Sequence, residues 1–171
     1  TPQMYFAINH LGTCGGVQVT ASHNPAEYNG FKISGQLAKP VGADTGLNDI
    51  KHIATALLHT KGRPDGSVEH CDLSKEYKQH VLKFLEDNHR PLKIVIDASN
   101  GMAGKMVPII FGKMKGVELT GLNLEHDGTF KHDPNPLVEA NLAELKKTVV
   151  KKKADFGFCF DGDADRLIMV D

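Results

Sequence analysis

Asp155-Phe156-Gly157-Phe158-Cys159-Phe160 runs directly into Asp161-Gly162-Asp163-Ala164-Asp165-Arg166, and this junction decides the fold class. The first six residues are apolar and aromatic after Asp155, which is the pattern of a buried strand. The next six form an acidic loop at its C-terminal end. Working backwards, residues 137–153 have the apolar spacing of an amphipathic helix and 117–122 that of a strand. Residues 105–115 read as a helix, 93–96 as a buried-type strand ending at Asp97, and 73–85 as another helix. Past the loop, Leu167-Ile168-Met169-Val170 is a further apolar run. Strands alternating with helices of these lengths predict a parallel α/β sheet. Open sheets of this kind place their chemistry at the C-terminal ends of strands, where Asp97 and Asp161 both fall.

The N-terminal part is less regular. Pro2–Leu11 reads as a short helix, with Gly12, Gly15 and Gly16 as breakers. Residues 17–20 are a β-prone run leading into Ala21-Ser22-His23-Asn24-Pro25, and 31–34 a second short strand. Residues 44–59 predict a helix with Leu47, Ile50, Ile53, Ala54, Leu57 and Leu58 on one face. A turn-rich stretch over 61–67 follows. A boundary near 71–74 gives two small α/β units, mixed or parallel, over residues 1–72 and 73–171. Both ends read as cut: Thr1-Pro2 is a helix start with nothing before it, and the chain stops at Asp171 as it leaves a strand.

Bulk properties narrow the function classes. At 171 residues, 40% hydrophobic and 24% charged, the chain is an ordinary globular one able to bury a core. A net charge of −1 supplies no basic face for nucleic acid. No apolar run reaches the length of a membrane span, and the first residues lack a signal-peptide pattern. Cys14, Cys71 and Cys159 are odd in number and widely spaced, as expected of reduced thiols in a cytoplasmic protein.

Two stretches carry chemistry. In Thr20-Ala21-Ser22-His23-Asn24-Pro25, followed by Tyr28-Asn29-Gly30-Phe31-Lys32, a hydroxyl can carry a phosphoryl group, an imidazole can move a proton and an ammonium can balance charge. The same residue types also make an ordinary polar turn. The second stretch is sharper. Asp161, Asp163 and Asp165 alternate after a strand, and a loop curved at Gly162 can aim three carboxylates at one point. Such hard oxygen ligands suit Mg²⁺ or Ca²⁺. Without a cation between them, each pair costs roughly 4 kcal/mol at contact distance in a partly polar setting. An EF-hand is excluded because its sixth loop position needs glycine and here is Arg166. An aspartyl phosphatase using Asp161 fits locally but leaves Ser22 and Asp165 without a role. A non-catalytic divalent-metal-binding module would need only the acidic loop. Gly101 and Gly104 after Asp97 read as a structural turn, Cys159 as packing, and the nine histidines as surface or capping residues without metal-ligand spacing.

Together these stretches resemble the α-D-phosphohexomutase family, in its phosphomannomutase and phosphoglucomutase branch. Val19-Thr20-Ala21-Ser22-His23-Asn24-Pro25 resembles its phosphoserine loop, Asn29-Gly30-Phe31-Lys32 its lysine segment and Asp161-Gly162-Asp163-Ala164-Asp165-Arg166 its metal loop. DASNGMAG from Asp97, Asp127-Gly128, and DPNPLVEANL from Asp133 are similar to connecting motifs of its second domain. The resemblance implies a phosphoserine at Ser22 and transfer between the 1- and 6-positions of a hexose phosphate through a hexose 1,6-bisphosphate. It assigns proton transfer and substrate contact to His23 and Lys32, an active-site arginine to Arg166, and Mg²⁺ to Asp161, Asp163, Asp165 and Ser22. Charge counting agrees: three aspartates and a phosphoserine of about −1.5 to −2 exceed one Mg²⁺ by about three charges, which Lys32 and Arg166 would offset. The family's sugar-selecting GExSG loop and phosphate-binding RxSGT loop are not in the sequence. The implied partners are therefore a sugar phosphate and two further domains of a longer enzyme, with neither nucleic acid nor membrane. The chain by itself is expected to lack mutase turnover.

Overall fold

The computed structural model describes residues 1–59, 62, 65–86 and 90–171. The turn-rich stretch expected over 61–67 lies partly outside the described residues. The central sheet has the strand order β4-β3-β5-β6, with β3 Leu92–Asp97, β4 Val117–Leu122, β5 Phe156–Phe160 and β6 Leu167–Val170. β3 runs parallel to β4 and β5, while β6 is antiparallel to β5, with Phe158 opposite Met169. Of the two arrangements expected, mixed or parallel, the sheet is the mixed one. The reason is the connection: only the six residues 161–166 join β5 to β6, too few for the crossover that parallel strands need.

Strand alternation explains the two core layers. In β5, Gly157 and Cys159 point to one face, and the phenylalanines at 156, 158 and 160 to the other. On the first face α5 (Ala143–Lys152) sets Leu145 and Val149 against Val95 and Cys159, with Leu142 just ahead of the helix. On the second, α4 (Ala103–Phe111) packs Ala103 and Val107 against Ile96, with Ile94, Leu119, Phe158 and Phe160 around them. Cys159 is wholly buried, and burial pushes its thiol up to about 11, so it packs rather than reacts.

The first unit is slighter. α1 (Pro2–Leu11) lies on a two-stranded antiparallel sheet of β1 (Gly15–Val19) and β2 (Phe31–Gly35). Gly15 and Gly16, expected as breakers, are in β1. A Cβ on Gly16 would stand 3.0 Å from the Ile8 side chain, so the glycine lets α1 sit close to the strand. α2 (Leu47–Leu57) starts three residues later than expected, because Gly46 at φ 120° interrupts it after the 3₁₀ turn Ala43–Thr45. Its apolar stripe is laid out as read, yet Leu47, Ile50, Ile53 and Leu57 are all exposed. α3 (Ser74–Leu82) packs beside α4, and its Tyr77 and His80 meet Phe6 of α1 with ring centroids 5.4 and 5.0 Å away. The helix expected over 137–153 opens as a 3₁₀ turn, Glu139–Leu142, and that over 105–115 is shifted towards its N-terminus. Among the described residues no helix is long and apolar enough to cross a membrane.

Leu145 is fully buried between α5 and the sheet. Leu145→Ala is expected to lower the unfolding free energy by about 2–5 kcal/mol, measured by urea denaturation.

Candidate active site

Asp161 leaves β5 and organises the loop that follows. Its Oδ1 accepts from the backbone N–H groups of Asp165 (3.0 Å) and Arg166 (3.1 Å). The Ala164 N–H returns to the Asp161 carbonyl, and Ala164 takes a left-handed φ of 58°. This tight curl turns alternate side chains inward. Carboxylate oxygens of Asp161, Asp163 and Asp165 all lie within 4.8 Å of one another. Asp161 and Asp163 are buried, and burial pushes the Asp161 carboxyl up, reinforced by its two acidic neighbours. Burial works the same way on Asp163, but hydrogen bonds from Lys32 and Thr1 outweigh it and hold that carboxyl below its ordinary value.

The compensating charge comes from the other unit. Lys32 of β2 places its ammonium 2.6 Å from Asp163 Oδ2 and 2.6 Å from Asp165 Oδ2. Burial lowers the Lys32 pKa, yet the two carboxylates outweigh it and leave the group above its ordinary value. The Thr1 hydroxyl also donates to the Asp163 carboxylate. Asp163 Oδ1 remains buried without a hydrogen-bond partner. An orphaned buried carboxylate oxygen costs free energy unless a cation meets it. Together with the three converging hard ligands, it fits a divalent metal such as Mg²⁺.

Ser22 reaches the cluster from the loop between β1 and β2, whose base is closed by Thr20 N–H on the Gly30 carbonyl (2.9 Å). Ser22 itself is left-handed, at φ 57°, a conformation costing of order 1–3 kcal/mol in a non-glycine residue. Its N–H donates to Thr20 Oγ1 (2.8 Å), which supports the turn. The result aims Ser22 Oγ at Asp161 Oδ2 (3.4 Å), with His23 Nδ1 also 3.4 Å away. Arg166 Nη1 lies 2.8 Å from that same Nδ1. A guanidinium only donates, so Nδ1 accepts and the ring proton sits on Nε2. The Ser22 hydroxyl therefore has Asp161 as its open acceptor. All seven residues picked from the sequence (Ser22, His23, Lys32, Asp161, Asp163, Asp165 and Arg166) are brought into one cluster spanning both ends of the chain.

Sequence reading missed three features. Thr1 supports Asp163, although a threonine before a helix signals only a cap. His132, grouped with surface histidines, instead lies 3.2 Å from the buried Asp97. Gly162 is a contact point as well as an aid to curvature. A Cβ there would stand 2.5 Å from the Ser22 carbonyl oxygen, and one on Gly101 would stand 2.5 Å from the Gly162 oxygen. Three loops thus meet backbone to backbone, and no residue but glycine leaves them room.

Comparison with known proteins agrees over the whole chain. Residues 1–60 match the phosphoglucomutase/phosphomannomutase alpha/beta/alpha domain I, and residues 75–171 match domain II. A phosphomannomutase of Salmonella montevideo is 38% identical over 179 residues, covering 100% of this chain and 39% of that protein. A phosphohexose mutase of Xanthomonas campestris pv. campestris (strain B100) is 38% identical over 174 residues, covering 100% and 38%. The crystal structure of a phosphoglucomutase/phosphomannomutase family protein from Burkholderia thailandensis superposes with a TM-score of 0.78 at 35% identity, covering 91% of this chain and 33% of that one. The chain therefore spans 38–39% of the length of these curated relatives.

Gly162→Ala is expected to cost about 1–3 kcal/mol of stability through this overpacking. Hydrogen exchange followed by mass spectrometry should show faster exchange around residues 20–24, with the α4–sheet–α5 core unchanged.

Proposed function

The chain belongs to the phosphoglucomutase/phosphomannomutase family of α-D-phosphohexomutases, and from that premise we propose that it carries the phosphoserine and metal-binding part of a hexose-phosphate mutase. In this reading residues 1–72 form the unit bearing Ser22, and residues 73–171 the unit bearing the acidic loop. One observation carries the proposal: the Ser22 hydroxyl lies 3.4 Å from Asp161, in a cluster where Lys32 of one unit meets Asp163 and Arg166 of the other meets His23.

Ser22 Oγ holds the phosphoryl group. Its bond to phosphorus breaks as a hydroxyl oxygen of the hexose monophosphate forms a new one, giving a hexose 1,6-bisphosphate. After reorientation the other phosphoryl group returns to Ser22, so the group moves between the 1- and 6-positions with no net consumption. His23 and Lys32 are the pair assigned to proton transfer: Lys32, held as an ammonium, can donate, and His23 can accept the proton of the attacking hydroxyl at Nδ1 once Arg166 turns from that nitrogen towards the phosphoryl oxygens. Arg166 holds His23 Nδ1 and adds positive charge beside the phosphoryl oxygens, and Lys32 also contacts the substrate. Asp161, Asp163 and Asp165, together with a phosphoryl group on Ser22, would hold Mg²⁺, which would supply the charge stabilisation on which phosphoryl transfer depends. The distal phosphate and sugar hydroxyls need a second anchor, assigned in this reading to further domains of the longer enzyme. The 171 residues alone therefore lack turnover in this reading. A cytoplasmic location is supported by three free thiols, as a reducing compartment keeps them.

The geometry gives no support to an aspartyl phosphatase. Asp161 has no exposed surface, its Oδ1 is taken by two backbone donors, and its Oδ2 faces Ser22 and Arg166. A metal module without catalysis leaves the strained, aimed Ser22 unexplained.

Incubation with glucose 1,6-bisphosphate and Mg²⁺ should add one phosphoryl group, read by intact mass and mapped to the peptide carrying Ser22. Ser22→Ala should abolish the addition, and the wild-type label should survive hydroxylamine. Label on an aspartate, or none on Ser22, would overturn the proposal.

A further inference from the structure

Asp97 ends β3 wholly buried, and a buried carboxylate needs its charge met. Its Oδ1 accepts from the Ser99 N–H (3.0 Å) and the Asn123 side-chain amide (2.9 Å). Its Oδ2 lies 3.2 Å from Nε2 of His132. On the other side of that ring, Nδ1 lies 2.9 Å from the Asp133 carbonyl oxygen. Carbonyl and carboxylate oxygens only accept, so both ring nitrogens carry protons and the ring is an imidazolium. The side chain of His132 is only 16% exposed.

From this geometry we propose that His132 is a positioning residue for the Ser22–Asp161 site, its ion pair with Asp97 clamping the 131–136 loop against Gly162. The inference rests on the reading of that site given above. Two routes lead from the pair into the site. Along the loop, Pro134 is fully buried with its Cβ 3.8 Å from the point where a Gly162 Cβ would stand, and the Ser22 carbonyl is 2.5 Å from that point on its own side. The loop is tied down again where Lys131 N–H donates to Asn100 Oδ1 (3.1 Å). Along the sheet edge, Ser99, whose amide holds Asp97, donates its hydroxyl to the Phe160 carbonyl (2.6 Å), one residue before Asp161. One ion pair therefore braces the Ser22 contact and the start of the metal loop at once.

The pH dependence follows from the charged groups facing the ring. These are Asp97 at the end of β3 and Glu144 of α5, the latter paired at 2.9 Å with Lys131 of the ring's own loop, while Asp133 meets the ring through its backbone carbonyl. The hydrogen bond to Asp97 is the main cause raising His132 above the ordinary imidazole value. For Asp97, burial pushes upward, but the bonds from His132, Asn123 and Ser99 outweigh it. A raised histidine contributes its stabilisation fully below its unfolded pKa and loses it as the pH climbs through the folded value. The clamp thus loosens on the alkaline side.

The test is ¹⁵N NMR of the protein without phosphate or metal. His132 should show both ring nitrogens protonated at neutral pH, and the Gly162 and Ser22 amides should shift with the same midpoint. His132→Gln should remove that midpoint and speed hydrogen exchange of those amides by about tenfold. His132→Lys, a fixed cation, should restore protection while leaving no imidazole midpoint. A neutral His132 ring, or Ser22 and Gly162 amides indifferent to its titration, would overturn the proposal. The wild-type titration decides even if His132→Gln fails to fold. Because these readouts need no phosphoryl transfer, an unlabelled Ser22 defeats the mutase reading without touching this one.

Discussion

Three carboxylates at the end of one strand must be reconciled with burial, and the rest of the site follows from how that is done. Asp161 and Asp163 lie inside the protein and Asp165 at its edge, close enough to repel strongly. Two backbone donors quiet one oxygen of Asp161, but backbone dipoles alone cannot balance three charges. The ammonium of Lys32 offsets one of them by bridging Asp163 and Asp165 at 2.6 Å each. Lys32 belongs to β2, so neutralising the loop also docks the first unit on the second. A two-stranded sheet is marginal alone in water, and here a charged contact at its edge helps to hold it.

Ser22 inherits its place from that docking. The β1–β2 loop is closed at its base between Thr20 and Gly30, and its tip meets Gly162 at backbone distance. The left-handed serine is a strained choice that persists because Thr20 and Gly162 determine it from both sides. The unpartnered oxygen of Asp163 and the short reach from Ser22 to Asp161 leave the site electrostatically unfinished in a way that a cation and a phosphoryl group together would complete.

The acidic loop and the Ser22 loop were legible in the sequence because their chemistry is written in residue type: alternate aspartates after an apolar strand, and hydroxyl, imidazole and ammonium within one short stretch. The α/β layering was legible for a similar reason, since the periods of β5 and α5 are those of elements buried on one sheet. Other features have no such signature. The antiparallel course of β6 depends on how short the 161–166 connection is. The late start of α2 depends on one glycine dihedral. The exposure of its apolar stripe is a tertiary fact that periodicity cannot carry. Asp97 and His132 are thirty-five residues apart with nothing in their spacing to link them. Gly162 reads as an aid to curvature, and its further role is the room it leaves for Ser22.

If charge compensation across the two units is what builds the site, Lys32 and Asp163 must be energetically coupled. A double-mutant cycle on unfolding free energy with Lys32→Met, Asp163→Asn and the double variant measures this directly. The account predicts a coupling above about 1 kcal/mol, since each single change strands a buried or partly buried partner. Additivity within about 0.5 kcal/mol would contradict it, showing that the lysine merely rests near an acidic loop that is stable without it.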